Sequence, residues 1–423
     1  MNRAIAPEIK TPDIIHLIES QKISLDNGLP VYVINAGDEE IVKIDFVFEA
    51  GKWYEPKNLL ADFVVRMMRE GVKGKSAKDI AEIFEFYGCN LESSVSFTNA
   101  GFQIYSLSRH LPHVLPLMME IFTEATFPEE EFSIILNNKK QKHTERLAKN
   151  DYVANRTFLS AMWGQAHPYG RVTEYTDFEN VNTDMLREYH KRYYNASNCF
   201  VVIAGKLNDE MLRSLNTVFG VSAWKGAKAP SDQTHTVSPL AEKRIHTDKK
   251  DAVQSTIMIG NACINRYHPD FEKLTIMNTV FGGYFGSRLM TNIREDKGYT
   301  YGIHSGVSSY QHGGIFEISA EVGKEVSEAT ITEINNEIEL MRNDLVDEDE
   351  LDTVKNYMIG RLMRSVDGPM KYSDVLKGQL LYGHDGNYLN HYLKTIQETT
   401  AEEIRELAVK YLEFDKMYKV TVG

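Results

Sequence analysis

A bound metal needs several neutral nitrogen, thiolate or carboxylate donors converging on one point, and few stretches of this sequence bring even two together. His110 and His113 lie one turn apart, but Pro112 sits between them and no third ligand is evident. His304 and His312 flank a predicted strand turn, and His384 and His391 lie in a polar helix-to-loop stretch; all read as surface or hydrogen-bonded histidines. Cys89, Cys199 and Cys263 are far apart among apolar or small neighbours, which is neither a disulfide framework nor a zinc-finger spacing. The run from Leu59 to Gly71 reads as a helix, with apolar residues at 59, 60, 63, 64, 67 and 68. Its polar side sets Asp62 and Arg66 at i and i+4, a helix ion pair worth about 0.2–0.5 kcal/mol if exposed. A guanidinium is a permanent cation with no lone pair to donate, and Val65 cannot take a proton from water. This helix therefore carries neither a ligand set nor a general base. Farther on, Arg294 and Tyr301 stand seven residues apart, a fork of N–H donors and a phenol. In a regular strand Tyr299 would share the face of Tyr301 and compete for its task.

The elements that must position these residues occur twice. The acidic turns FPEEEF (127–132) and LVDEDEL (345–351) each follow one amphipathic helix and precede another, pairing Phe132 with Leu351 at an offset of 219. The same offset carries Trp163 onto Tyr382 and Lys191 onto Lys410. Both halves then close on an apolar strand and a glycine, ending at Gly205 and Gly423, an offset of 218. Strands at both ends of each half, with helices between, predict an α+β fold. Two homologous domains are expected, each a mainly antiparallel sheet with helices packed on one face, related by pseudo-twofold symmetry. The expected boundaries are an N-terminal extension over 1–22, a first domain over 23–222, a linker over 223–240 and a second domain over 241–423. The linker expectation rests on the Gly, Pro and Ser content of AWKGAKAPSDQ. Phe102, Ile104 and Tyr105, in a strand-like run before Arg109, are candidates either for an edge that binds peptide by strand addition or simply for the core.

At 423 residues, 42% hydrophobic and 25% charged, the composition is that of an ordinary globular chain. A formal charge of -13 and no local basic patch argue against a nucleic-acid surface and an anionic-membrane surface, so no nucleic-acid or membrane partner is expected. No signal-peptide pattern opens the chain and no run of 18 apolar residues occurs, so a cytoplasmic location is expected. A periplasmic chain whose signal had been removed would read the same.

Five segments stand out along the chain: LDNGLPVYV near the start, the helix from Leu59, AHPYGRV (166–172), RYYNASNCFVVIAG (192–205) and, most specifically, FGGYFGSRLMTNIREDKGYTYGI (281–303). Through them, over nearly its whole length, the sequence resembles the insulinase/pitrilysin family of metallopeptidases. In that family the first helix bears the inverted zinc motif H-x-x-E-H. Here its three places read Asp62, Val65 and Arg66, and the place of the third ligand, a glutamate, falls near His143, with Glu145 two residues on. The resemblance thus implies no metal and no cofactor in this chain. It also implies a role for Arg294 and Tyr301: in the family an arginine and a tyrosine at this spacing reach the substrate backbone beside zinc held by the other half. The arginine would hold a peptide carbonyl and the tyrosine stabilise the oxyanion. Aligning Gly88 with Gly298 sets Phe84 opposite Arg294 and Leu91 opposite Tyr301, so the repeat itself does not demand the polar pair.

Having one half of the equipment without the other implies a division of labour. The expected function is the non-catalytic subunit of a heterodimeric zinc peptidase, resembling the partner chains of processing-peptidase-like bacterial pairs. Its partners would be a zinc-bearing homologous subunit and an unfolded peptide substrate. Alone it would be inactive, and the zinc would lie in the partner. The alternative is a structural or assembly protein of the same fold with no part in proteolysis.

Overall fold

The structure is a computed structural model and describes residues 11–230, 233–384 and 386–423. The chain divides into two compact units. Among the described residues, the first holds 18–241 together with Gly368–Lys377; the second holds 242–367 and 378–423 with residues 11–17.

In the first unit β1 (Gln21–Ser24), β2 (Pro30–Asn35) and β3 (Ile41–Phe48) lead into helix α1 (Leu60–Met67). A two-strand ribbon, β4 (Gly71–Val72) with β5 (Lys75–Ser76), and helix α2 (Ala77–Phe86) follow. Ser76 and Asp79 close a reciprocal capping box at the start of α2. Strands β6 (Asn90–Val95) and β7 (Ala100–Leu107) precede the helices α3 (Leu111–Thr123), α4 (Glu129–Leu147), α5 (Asn150–Trp163) and α6 (Thr183–Tyr193). The unit returns to strand at β8 (Cys199–Gly205) and continues into α7 (Asp209–Phe219).

The second unit runs through β9 (Arg244–Thr247), β10 (Gln254–Cys263), α8 (Phe271–Asn278), β11 (Thr300–Tyr310) and β12 (Gly313–Gly323). It then passes through α9 (Ser327–Asn343) and α10 (Glu348–Ser365); α11 (Pro369–Leu381) belongs to the first unit up to Lys377, and the second unit resumes with α12 (Tyr388–Glu398), α13 (Ala401–Tyr411) and β13 (Tyr418–Val422).

The two sheets share one topology. The order is β1-β2-β8-β3-β7-β6 in the first and β9-β13-β10-β12-β11 in the second. Omitting β1, each position matches: β2 runs parallel to β8 as β9 does to β13, and all other neighbours are antiparallel. Phe132 and Leu351 occupy the same buried place in the first turns of α4 and α10. Asn182 and Thr400 cap α6 and α13, the helices before the closing strands. The α+β architecture and its duplication agree with the sequence expectation.

On β3 the side chains alternate as the pleat requires. Phe46 and Phe48 meet Phe122 of α3 at centroid distances of 5.0 and 5.2 Å, and Phe46 meets Phe219 of α7 at 4.8 Å, forming the helix-covered core. Trp224 stacks on Phe122 and gives its indole N–H to the Tyr194 carbonyl, so residue 224 is core despite the linker-like composition around it. The other face of β3 presents Lys43 and Asp45, 0% and 3% exposed. The start of α11 covers them: Asp374 lies 2.5 Å from Lys43, and the Lys377 ammonium donates to Asp45 at 2.6 Å. Two cations face two carboxylates, the balance that buried charges require.

The strand order corrects one expectation. β7, which carries Phe102, Ile104 and Tyr105, is hydrogen-bonded on both sides, to β3 and β6. Phe102 and Ile104 are core residues, and no peptide can add there. The end strands of this sheet are β1 and β6, and β6 alternates exposed with half-buried positions.

Candidate functional site

Helix α1 begins without a side-chain cap: Leu59 adopts the left-handed conformation at φ 73°. Its N-terminus is served instead by Glu55, whose carboxylate accepts from the Ala61 N–H at 3.0 Å and lies 3.6 Å from Arg171. Burial pushes the Glu55 carboxyl up to about 7, against the opposing pull of that N–H and of Arg171. Leu60, Phe63, Val64 and Met67 anchor α1 in the core, and Val65 is buried with them.

The expected Asp62–Arg66 pair does not form. Asp62 is joined to Lys139 of α4, while Arg66 points into solvent. Lys139 lies 5.3 Å from the Phe63 ring centroid. Burial, with Lys52, Arg146 and Lys142 nearby, draws its ammonium down to about 8. A half-buried cation gains more from a counter-charge than does a guanidinium already in water, so Asp62 turns to α4. His143, one turn beyond Lys139, is 5% exposed and enclosed by Tyr152, Tyr175 and Phe178. Its Nδ1 lies 3.3 Å from the Tyr152 hydroxyl, and its Nε2 has no hydrogen-bond partner among the described residues. Burial, aided by Arg156, pushes this imidazole below the ordinary histidine range. Glu145 accepts from Gln141 on the exposed side of α4.

A zinc ion does not fit these four positions. Asp62 is already neutralised by Lys139, Val65 has no donor and Arg66 is cationic, so His143, enclosed by Tyr152, Tyr175 and Phe178, is left as a lone neutral donor where a site needs three or four. Among the described residues no cluster of three or more His, Cys, Asp or Glu could hold a metal ion. His110 and His113 lie against Tyr87, the latter stacked at 4.9 Å, and His391 pairs with Glu272 at 3.4 Å. The three thiols are free, and burial raises each of them, which makes them poor nucleophiles.

The second unit presents a different surface. After α8 the chain makes two π-helical turns, Thr279–Gly283 and Met290–Asp296, the second bearing Arg294. Such turns recur at functional sites because they redirect side chains that a regular helix would align. Arg294 is partly exposed; its guanidinium lies over the Phe285 ring at 4.5 Å and 3.9 Å from the Glu295 carboxylate. Gly298, at φ +66°, turns the chain into β11, as Gly88, at φ +60°, turns it into β6. Opposite Arg294 and Tyr301 in that correspondence stand a buried Phe84 and a half-buried Leu91.

β11 is an end strand, and its pairing with β12 slips between Thr300 and Ile303. The Thr300 hydroxyl donates to the Glu321 carbonyl at 2.6 Å and accepts from the Gly302 N–H at 3.1 Å, replacing ladder bonds. Tyr301 is thereby expelled, 94% exposed. Tyr299 precedes the strand, half-buried, its N–H bonded to the Ile293 carbonyl. The regular alternation that would place both tyrosines on one face is absent here.

Sequence reasoning missed Phe285 and Lys139. The first had a signal, a large apolar residue between Gly283 and Gly286; the second was one lysine among many on a polar helix.

The family model for insulinase, peptidase family M16, matches residues 31–177, and the model for the peptidase M16 inactive domain matches residues 180–358. The chain is similar to a Bacillus subtilis (strain 168) protein named uncharacterized zinc protease YmxG, 25% identical over 398 residues, 92% of this chain and 94% of the relative. An uncharacterized zinc protease of Rickettsia bellii is 26% identical over 334 residues, 77% of this chain and 79% of its own length. Among solved structures, a peptidase M16 inactive domain from Pseudomonas fluorescens superposes with TM-score 0.87 at 24% identity, over 96% of this chain and 98% of that one. A Helicobacter pylori protease does so with TM-score 0.87 at 17% identity, over 96% and 100%. Among the described residues no helix is long and apolar enough to cross a membrane.

Proposed function

Because the chain belongs to the insulinase-like peptidases of family M16, we propose that it is the zinc-less subunit of a heterodimeric peptidase, supplying a substrate-binding wall opposite zinc held by a homologous partner. The observation that carries this reading is Tyr301. A tyrosine 94% exposed, thrown outward by a slipped strand start, contributes almost nothing to the core of its own unit. With Arg294 seven residues before it, it offers a guanidinium for a peptide carbonyl and a phenolic O–H for an oxyanion.

The positions of the zinc motif support the same division of labour. A carboxylate–ammonium pair and a caged histidine stand there in place of a ligand set. The end strand β6 offers an unfolded peptide a place to add by backbone hydrogen bonding.

The test is reconstitution with a homologue from the same genome that bears H-x-x-E-H. Light scattering should give a one-to-one species, and mixing should raise cleavage of a quenched fluorescent peptide well above that of either chain alone. A homologue fully active by itself, with no association between the two, would leave this fold an assembly role only.

A further inference from the structure

Phe285 is 64% exposed, yet the turn that carries it is firmly held. Tyr284, just before it, packs on Tyr357 of α10 at a centroid distance of 5.0 Å. Arg288, three residues after it, makes two hydrogen bonds to Glu350 of α10, at 2.9 and 2.8 Å. Ser287 accepts from the Thr291 N–H and donates its own to the Tyr284 carbonyl, closing the turn. The glycines around it are set by close approach: a Cβ on Gly282 would come 2.4 Å from the Ser305 hydroxyl, and one on Gly286 2.9 Å from the Tyr284 ring. An apolar ring is thus fixed in water by charged and aromatic anchors on both sides.

One face of that ring is covered by the Arg294 guanidinium at 4.5 Å. A planar cation stacked on a phenyl face loses orientational freedom, so its remaining N–H donors are aimed before any ligand arrives. The rest of the ring surface remains exposed beside that cation, which is the composition of a small subsite: an apolar floor next to a carbonyl-binding fork.

We propose that Phe285 is a specificity-determining residue of the Arg294 wall. It receives a large apolar side chain of the extended peptide next to the carbonyl that Arg294 holds, and it keeps the guanidinium plane in position. This rests on the reading of the chain as a substrate-binding subunit.

The test uses the reconstituted pair and quenched fluorescent decapeptide libraries, random except for one position fixed in turn as Phe, Leu, Ala or Glu. Phe285→Ala should raise KM about tenfold for the best Phe- or Leu-fixed library, the scale of losing a hydrophobic contact. The Ala- and Glu-fixed libraries should shift less than about twofold, flattening the preference. Phe285→Trp should restore the preference and Phe285→Leu should do so in part. Unchanged selectivity in Phe285→Ala, or an equal loss for every library, would overturn the proposal, as would weakened association of the two chains, which would make Phe285 an interface residue. If Arg294→Ala and Tyr301→Phe also leave turnover untouched, the failure lies with the subunit reading; if those two impair the pair and Phe285→Ala does not, it lies with Phe285 alone.

Discussion

The carboxylate of Asp62 on α1 is bound by the ammonium of Lys139 on α4, one helical turn before His143. Helices α1 and α4, on which the family resemblance sets the zinc-motif positions, are tied here by a protein ion pair. Rebuilding the metal site therefore requires more than rebuilding its ligands.

With Asp62→His, Val65→Glu, Arg66→His and His143→Glu combined, zinc should bind weakly while Lys139 remains, because a fixed positive charge opposes a dication. Adding Lys139→Ala should tighten binding by at least tenfold in calorimetric titration, about 1.4 kcal/mol. The unaltered chain, dialysed against a weak chelator, should retain no stoichiometric zinc by elemental analysis. Tight binding with Lys139 intact would show that the ammonium can swing clear.

Glu55 should make stability depend on pH. Its folded carboxyl is raised from 4.5 to about 7, so the native state keeps a proton that the unfolded chain releases. The cost of ionising it is absent below the unfolded value, grows between about 4.5 and 7, and is complete above. Glu55→Gln keeps an oxygen for the Ala61 N–H but removes the titration. The stability of the variant relative to the unaltered chain should rise by about 3 kcal/mol from pH 4.5 to 8 in urea unfolding. A difference constant with pH would mean that Glu55 titrates normally.

In the reconstituted pair, Tyr301→Phe should lower turnover by about 10²–10³-fold, the cost of one oxyanion donor. Arg294→Ala should also raise KM. Association and the partner's zinc content should stay unchanged. Tyr299, half-buried and outside the strand, should tolerate Phe with at least tenfold less damage. Equal effects would move the catalytic assignment away from Tyr301.

Asp45→Leu should destabilise the chain by about 3 kcal/mol or more, since it leaves Lys43, wholly buried, with only the half-exposed Asp374. The double change Lys43→Met with Asp45→Leu should cost less than Asp45→Leu alone. Thermal unfolding of the two variants beside the unaltered chain measures this directly.

The sequence foretold the duplicated sheets because the repeat is carried by apolar periodicity and helix-ending turns, which are local. It also showed that Val65 and Arg66 are chemically incapable of holding a metal wherever they sit. It did not reveal that β7 lies inside the sheet, because a strand such as Phe102 to Tyr105 reads the same whether its last neighbour is water or β6. Nor did it find the partner of Asp62: an i,i+4 residue is visible in the chain, whereas Lys139 is close only after α4 has packed. The outward throw of Tyr301 depends on the Thr300 hydroxyl capturing the Glu321 carbonyl, and no alternation pattern contains that competition.

The cover that α11 lays over Lys43 and Asp45 bears on how the polypeptide acquires its structure during synthesis. The hydrogen bond from Lys377 to Asp45 spans 332 residues, so the first sheet leaves the ribosome long before its covering segment exists. A nascent chain ending near residue 241 holds an ammonium and a carboxylate on an open sheet face, hydrated and without Asp374 or Lys377. Its native packing is deferred until residues 374 to 377 have been made, and an early-released fragment would offer that uncovered face to chaperones and proteases.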